Sequence, residues 1–97
     1  MKSLKIHEAA RREANLATAR YAEINIDLGR RFRDELLQAF SRAAAAPLRY
    51  SAYLHGTRRI LLRKFPYFIV FLYFENAVNI LAIAHAKRRP GYWRRRV

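Results

Sequence analysis

Apolar and polar positions along the chain follow two different spacings, and the change falls near residue 58. Before it, apolar residues recur every three or four positions, which is the spacing of one buried face of an α-helix. The helix predicted from Glu8 to Glu23 has on this face Ala10, Ala14, Ala17 and Tyr21, and the stripe continues to Ile24. Its charged residues lie largely off that face: Arg11, Arg12, Glu13 and Arg20.

A second helix is predicted after Asp27, whose side chain is suited to cap the free N–H groups of a first helical turn. Its buried face is predicted to contain Leu28, Phe32, Leu36, Ala39, Phe40 and Ala43, widened by Leu37. Pro47 ends the helical pattern because proline has no N–H to donate. We expect the two helices to form an antiparallel hairpin within about residues 8–46.

Four strands are predicted, the first a short edge strand at residues 4–6. The others cover Arg59–Lys64, Tyr67–Phe74 and Ala77–Ala84, and the eight apolar residues 67–74 indicate a central strand covered on both faces. The pattern predicts an α+β fold in a single domain of 97 residues. A short N-terminal strand and an antiparallel two-helix hairpin pack on a twisted antiparallel sheet of about residues 58–86, followed by a basic tail at 87–97.

Residues 65–86 are mostly apolar, which raises the alternative of a membrane span. Pro66, Glu75, Asn76 and Asn79 interrupt the run, whereas a spanning helix needs about 20 apolar residues with few polar ones. Two strands joined by a tight turn at Glu75-Asn76 fit better, because Asn tolerates a positive φ. The first eight residues also lack the apolar stretch of a secretory signal. We therefore expect a cytoplasmic protein that does not contact membranes.

Several classes of site are excluded by composition. There is no cysteine, so disulfides, Cys-based zinc sites and thiol catalysis are absent. His7, His55 and His85 are far apart in sequence and show no metal-ligand spacing. No glycine-rich phosphate loop or paired-carboxylate motif occurs. We expect neither a metal nor a cofactor.

The charge of the chain is strongly positive and unevenly distributed. Twenty Lys and Arg against seven Asp and Glu give a net charge of +13. Residues 1–48 carry a net +3, and residues 49–97 carry +10 with Glu75 as their one carboxylate. Sixteen of the cations are Arg, which pairs with phosphate and carboxylate through two parallel hydrogen bonds. This balance indicates an anionic partner: nucleic acid, a nucleoprotein assembly, an acidic protein or an anionic membrane.

The basic tail suggests two alternatives for its aromatic residues. Tyr92 and Trp93 stand among arginines, where they could stack on unpaired bases or pin the tail onto the core. His85 ends the last strand, where it has either a structural or a catalytic role. Metal-free cleavage of a phosphodiester needs a base, an acid and a cation, and these could come from His85, Tyr92, Arg59 and Lys64.

Four segments in order resemble the RelE/ParE toxins of bacterial type II toxin–antitoxin modules, and more specifically the ParE-like branch. They are Leu28-Gly29-x-x-Phe32, Pro47-x-Arg49-Tyr50, the block from Arg58 to Tyr67, and His85-x-x-Arg88-Arg89-Pro90-Gly91-Tyr92-Trp93. The resemblance implies a cognate antitoxin whose acidic residues meet the basic face of the toxin. It also implies a non-enzymatic poison that stalls DNA gyrase with its DNA cut. The alternatives are a RelE-like enzyme that cuts messenger RNA on the ribosome and a non-toxic basic nucleic-acid-binding domain.

On the preferred interpretation the toxin acts by binding its target, and no residue is catalytic. The residues predicted to bind the target are Arg59, Arg63, Lys64, Arg88, Arg89, Tyr92 and Trp93. The residues predicted to bind the antitoxin, on exposed parts of both helices, are Tyr21, Phe32 and Leu36.

Overall fold

The computed structural model describes residues 2–97. The elements in order are β1 (Ser3–Ile6), α1 (Glu8–Ile24), α2 (Ile26–Ala45), β2 (Arg58–Leu61), β3 (Tyr67–Phe74) and β4 (Ala77–His85). The predicted α+β fold, with two helices between the first strand and the rest, is confirmed. Among these residues no helix combines the length and the apolar character that crossing a membrane requires.

The four strands form one sheet in the order β1-β4-β3-β2. β3 is antiparallel to both β2 and β4, as expected. β1 lies parallel to β4, with Ser3 opposite Ala77 and Ile6 opposite Ile80, so the sheet is mixed and not entirely antiparallel. The direction of β1 could not be predicted, because three alternating residues carry no information about which strand they pair with.

The apolar run of residues 65–86 is a pair of strands and not a membrane helix. Its turn residues Glu75 and Asn76 have φ values of 48° and 62°, which suits the tight turn of a two-stranded hairpin. β2 is shorter than predicted and ends at Leu61. Beyond it, the backbone N–H groups of Arg63 and Lys64 donate to the carboxylate of Glu35 on α2 and not to a neighbouring strand.

The two helices meet at a single residue between them. Asn25 ends α1, and its side-chain oxygen accepts a hydrogen bond from the N–H of Asp27 at 2.8 Å. Asn25 is therefore the N-cap of α2, and the prediction of Asp27 as the cap was wrong; Asp27 lies in the first turn. Ile24 was also predicted to be buried, yet it is 76% exposed because the chain reverses there.

Both faces of the sheet are covered, each by a different part of the chain. The helices cover one face, where Phe32 packs with sheet residues such as Ile69 and Ile80. On the opposite face, Phe68 and Val70 form a smaller cluster with Trp93 of the C-terminal tail. The tail is consequently part of the folded core and not a free basic arm.

Candidate functional site

The C-terminal tail folds back across the sheet and is anchored by Trp93. This side chain is only 1% exposed, and its ring lies 6.0 Å from that of Tyr53 and 5.8 Å from that of His55. Trp93 is therefore buried and does not offer the exposed side chain that its predicted contact with the target requires. Of the two alternatives for this tryptophan, the structure shows the one in which it pins the tail to the core.

A second anchor of the tail is Glu13 on α1, whose carboxylate accepts five hydrogen bonds. Oε1 accepts from the backbone N–H of Ile83 at 3.1 Å and from Arg96 at 2.8 Å. Oε2 accepts from the Tyr92 hydroxyl at 2.8 Å, from Arg96 at 3.1 Å and from Arg88 at 3.3 Å. The Glu13 side chain is 13% exposed. One carboxylate thus joins the first helix, the last strand and the tail; we call this group of residues the Glu13 clasp.

The clasp also covers a strand edge that the sheet leaves open. β1 pairs with β4 only as far as Ile80, so the backbone groups beyond it need other partners. Glu13 accepts from Ile83, and Arg96 donates to the carbonyl of Leu81 at 3.1 Å. The sequence pattern shows only that Glu13 lies off the apolar stripe of α1. Its partners lie between 70 and 83 positions further along the chain, and no motif around Glu13 indicates them.

Tyr92 is held in the clasp in its neutral form. Its hydroxyl donates to Glu13, and the guanidinium of Arg88 lies over its ring at 3.7 Å. Burial of the phenol, followed by the hydrogen bond to Glu13, raises the pKa of Tyr92 well above its ordinary value of 10.0. The ring face covered by Arg88 is not free to stack on a nucleobase. Because the raised pKa keeps the hydroxyl protonated, Tyr92 is also poorly suited to act as a general base.

His85 is fixed in one tautomer by the tail that follows it. Its Nδ1 accepts a hydrogen bond from the backbone N–H of Lys87 at 3.0 Å, so the neutral ring carries its proton on Nε2. The ring stands edge-on to Tyr67 with 4.9 Å between centroids. Nε2 can therefore donate a hydrogen bond but has no lone pair with which to take a proton.

The other two residues of the nuclease alternative lie elsewhere. The Arg59 guanidinium is stacked over Tyr53 at 4.3 Å and over Phe68 at 5.2 Å, on the face of the sheet covered by the tail. Lys64 lines a cavity of about 450 Å³ beside α2. His85 lines a different cavity, beside α1. The structure does not bring the four residues to one site.

Cations nevertheless converge at one end of the sheet. Tyr67 pairs with His85, and the N–H of Ala86 donates to the carbonyl of Pro66 at 2.8 Å, so the loop after β2 and the start of the tail are neighbours. We call the exposed cations of these two segments the basic end; they are Arg63, Lys64, Lys87, Arg88 and Arg89. Four of them were predicted to bind the target, and Lys87 is added by its position.

The residues predicted to bind an antitoxin are mostly internal. Phe32 is 0% and Leu36 is 3% exposed, because the helical stripe to which they belong faces the sheet. Their prediction as exposed contact residues was wrong. Tyr21 is half-buried with its ring 4.9 Å from that of Phe65, and burial followed by the proximity of Tyr67 raises the pKa of its phenol.

A shallow groove between the helices offers an exposed apolar surface instead. It has a volume of about 130 Å³, and Leu36 reaches it from the core. Leu37, which is 47% exposed, lines it from α2. Arg11 and Arg33 lie along the same groove, one from each helix. The groove therefore combines an apolar floor with two cations.

Comparisons with known proteins agree with this architecture. Residues 4–90 match the family model of the ParE toxin of type II toxin-antitoxin system, parDE. A solved structure described as the chromosomal ParDE TA system from P. aeruginosa superposes with a TM-score of 0.77 at 15% identity, covering 90% of this chain and 98% of that chain, which shows a shared fold. The chain has no match among curated proteins. The resemblance drawn from the sequence is thus confirmed: the chain belongs to the ParE toxin family of type II toxin–antitoxin systems.

Proposed function

We propose that this ParE-family chain is a toxin that acts by binding DNA gyrase and stabilising its cleaved-DNA state, and that a cognate antitoxin neutralises it. The observation that carries the proposal is the basic end, with its five exposed cations at one end of the sheet. The tail that supplies three of them is anchored at Glu13 and Trp93. Such an array suits a surface of DNA phosphates or carboxylates.

The state of His85 and Tyr92 favours binding over catalysis. Cleavage of RNA without a metal needs a group that takes a proton from the attacking hydroxyl. The lone pair of the neutral His85 ring is engaged by the N–H of Lys87, and the Tyr92 hydroxyl is engaged by Glu13. Arg59 lies on the other face of the sheet and Lys64 lines a separate cavity, so the four residues of the nuclease alternative do not form one site.

The backbone of the basic end is held by hydrogen bonds from Arg63 and Lys64 to Glu35 and from Ala86 to Pro66, so docking does not have to order these segments. A toxin of this kind traps its target by binding one state more tightly than the others. Gyrase passes through a state in which both DNA strands are cut, and preferential affinity for that state raises its population. No covalent step by the toxin is needed.

The proposal predicts that cations of the basic end, and not positive charge in general, determine poisoning. We expect the double variant Arg63→Gln/Lys64→Gln to form about tenfold less gyrase-linked linear DNA in a plasmid cleavage assay, as expected when phosphate or carboxylate contacts are lost. The matched control is Arg12→Gln/Arg30→Gln, which removes the same charge from exposed positions on the helices. Equal loss in both variants would contradict the role of the basic end.

For the antitoxin we propose docking along the groove between α1 and α2. The groove offers an apolar floor with Arg11 and Arg33 beside it, which complements a helix or strand that presents apolar and acidic side chains. Among the residues expected to contact the antitoxin, the exposed Leu37 thus takes the place of the buried Phe32, and Leu36 remains as part of the apolar floor.

The docking proposal is tested by introducing a carboxylate into the groove. Leu37→Asp is expected to weaken binding of the cognate antitoxin at least about tenfold, because it removes apolar contact and repels acidic side chains. Leu48→Asp makes the same change at another exposed leucine, outside the groove, and is expected to bind normally. Unchanged affinity of Leu37→Asp, measured by calorimetry on the folded variant, would exclude the groove.

A further inference from the structure

A small cavity lies between α1 and the end of the β3–β4 hairpin, with a volume of about 150 Å³. Its polar lining includes Arg20 from α1, Tyr67 from β3, His85 from β4 and Arg88 from the tail. We infer that this cavity is a binding site for a phosphate group. The inference goes beyond the proposed function, since it does not depend on gyrase or on an antitoxin.

His85 contributes a donor whose direction is set by the fold. Because Nδ1 accepts the N–H of Lys87 at 3.0 Å, the ring carries its proton on Nε2 in the neutral form and donates from both nitrogens only when charged. Tyr67, edge-on to this ring at 4.9 Å, lines the same cavity. A proton-carrying Nε2 is unsuited to general-base chemistry and well suited to an oxyanion.

Two arginines, one on α1 and one in the tail, complete the donor set. Arg20 is exposed on α1 and lines the cavity. Arg88 uses Nη1 for Glu13 at 3.3 Å, which leaves other N–H groups of its five for a ligand. Donors from one helix, two strands and the tail therefore surround one small space.

The carboxylate of Glu13 also lines the cavity, but its charge is already compensated. Arg96 approaches both of its oxygens, at 2.8 and 3.1 Å, and Arg88 approaches one. Counting Arg20, Arg88 and Arg96 against Glu13 leaves a local charge of +2 with His85 neutral. An anion entering the cavity meets an excess of positive charge.

The number and arrangement of donors favour phosphate over carboxylate. A carboxylate is planar and best matched by a single arginine fork, whereas a tetrahedral phosphate can accept from several directions at once. The phosphate could come from a free or terminal phosphate or from a nucleic-acid backbone. Both sources present non-bridging phosphate oxygens, of which a backbone diester has fewer than a free or terminal phosphate, and experiment separates the two.

The test is a titration of the full chain with inorganic phosphate at neutral pH, followed by the NMR signals of the histidine rings. We expect the His85 signals to shift and saturate. His7, which caps α1, and His55, which packs on Trp93, are internal controls and are expected not to respond. A dinucleotide with one phosphodiester and acetate are titrated in parallel.

Two variants make the test specific. Arg20→Gln is expected to weaken phosphate binding about tenfold, as for loss of a charged hydrogen bond, whereas Arg12→Gln removes the same charge from the same helix and is expected to have no effect. His85→Asn keeps an acceptor for the N–H of Lys87 and removes the Nε2 donor. It is expected to weaken binding similarly, measured through the backbone signals of residues 85–88.

Each outcome bears on the assignment. Binding of inorganic phosphate alone supports a free or terminal phosphate as the ligand, and binding of the dinucleotide as well supports a nucleic-acid backbone. A His85 signal that does not respond to either, tighter binding of acetate than of phosphate, or equal weakening by Arg12→Gln and Arg20→Gln would overturn it.

Discussion

At the scale of single residues, Glu13 determines where the tail lies. Five donors surround its carboxylate, two of them on Arg96, and the side chain is 13% exposed. Hydrogen bonds to a charged group, in a place that water reaches poorly, contribute more than those of an exposed ion pair. The clasp is therefore the polar contact of the tail on which stability depends most.

Replacing Glu13 by Gln keeps the shape of the side chain and removes its charge. We expect the free energy of unfolding to fall by about 2–4 kcal/mol, because Arg96 loses its counter-charge in a largely buried place and the more exposed Arg88 loses its partner. Chemical denaturation measures the change. Glu8→Gln is the matched control: its partner Arg12 lies at 3.8 Å with both side chains exposed, and the expected loss is below about 1 kcal/mol. Equal losses of stability in Glu13→Gln and Glu8→Gln would show that the Glu13 clasp contributes no more than an exposed ion pair.

Tyr92 gives the clasp a pH dependence on the alkaline side. Its pKa is raised in the folded state, so above about pH 10 the unfolded chain loses this proton while the folded chain retains it. Stability contributed by Tyr92 is thus present below that pH and is lost as the pH rises. Tyr92→Phe is expected to reduce the alkaline slope of the unfolding free energy by up to about 1.4 kcal/mol per pH unit. An unchanged slope would contradict a phenol buried against Glu13.

At the scale of elements, the helix hairpin depends on a close approach at Gly29. A Cβ placed on Gly29 would lie 2.8 Å from the Cβ of Ala22 on α1, which is closer than two such atoms can approach. Close packing against Ala22 thus explains why glycine stands at this position of the segment Leu28-Gly29-x-x-Phe32, which is part of the family resemblance. Glycine lowers helix propensity there but lets the two helices touch.

The substitution Gly29→Ala therefore separates propensity from packing. Propensity alone predicts a gain of about 1 kcal/mol, whereas forcing the helices apart costs about 1–3 kcal/mol. We expect a net loss, measured by thermal or chemical unfolding. The double variant Ala22→Gly/Gly29→Ala removes the 2.8 Å contact and keeps those with the backbone Cα and N of residue 22 at 3.0 and 3.1 Å, so it is expected to be less destabilised than the sum of its single variants. A stabilised Gly29→Ala would contradict the close contact.

The elements themselves could largely be predicted from the sequence. Periodicity located both helices, and eight consecutive apolar residues located the central strand β3. The predictions were wrong where the bounds of an element depend on a residue that is a neighbour in the fold. Asn25 and not Asp27 caps α2 because the helices share one connecting residue, and β2 ends early because Glu35 takes the N–H groups of Arg63 and Lys64.

The candidate site was less predictable than the fold. Composition indicated that the tail is basic but could not show which side chains are held in place. Trp93 packs on the face of the sheet that the helices do not cover. Tyr92 is held by the carboxylate of Glu13, 79 positions earlier in the chain. The exposed cations of the basic end are neighbours because the register between β3 and β4 places Tyr67 opposite His85. This register is defined only in the folded chain.

At the scale of the whole molecule, the charge has a direction as well as a size. The net charge of +13 is distributed so that residues 49–97 carry most of it, and the strand register gathers five of these cations at the basic end. A concentrated field of one sign attracts an oppositely charged partner and orients it on approach. The helix groove, with its apolar floor, lies on a different part of the surface.

Poisoning of gyrase by binding alone is tested by a comparison of two purified targets. The folded toxin, free of any partner, is added to purified gyrase with plasmid DNA and, separately, to ribosomes translating a defined message. We expect linear DNA covalently linked to gyrase in the first reaction and intact message in the second. Intact plasmid together with messenger RNA cut on the ribosome would contradict it.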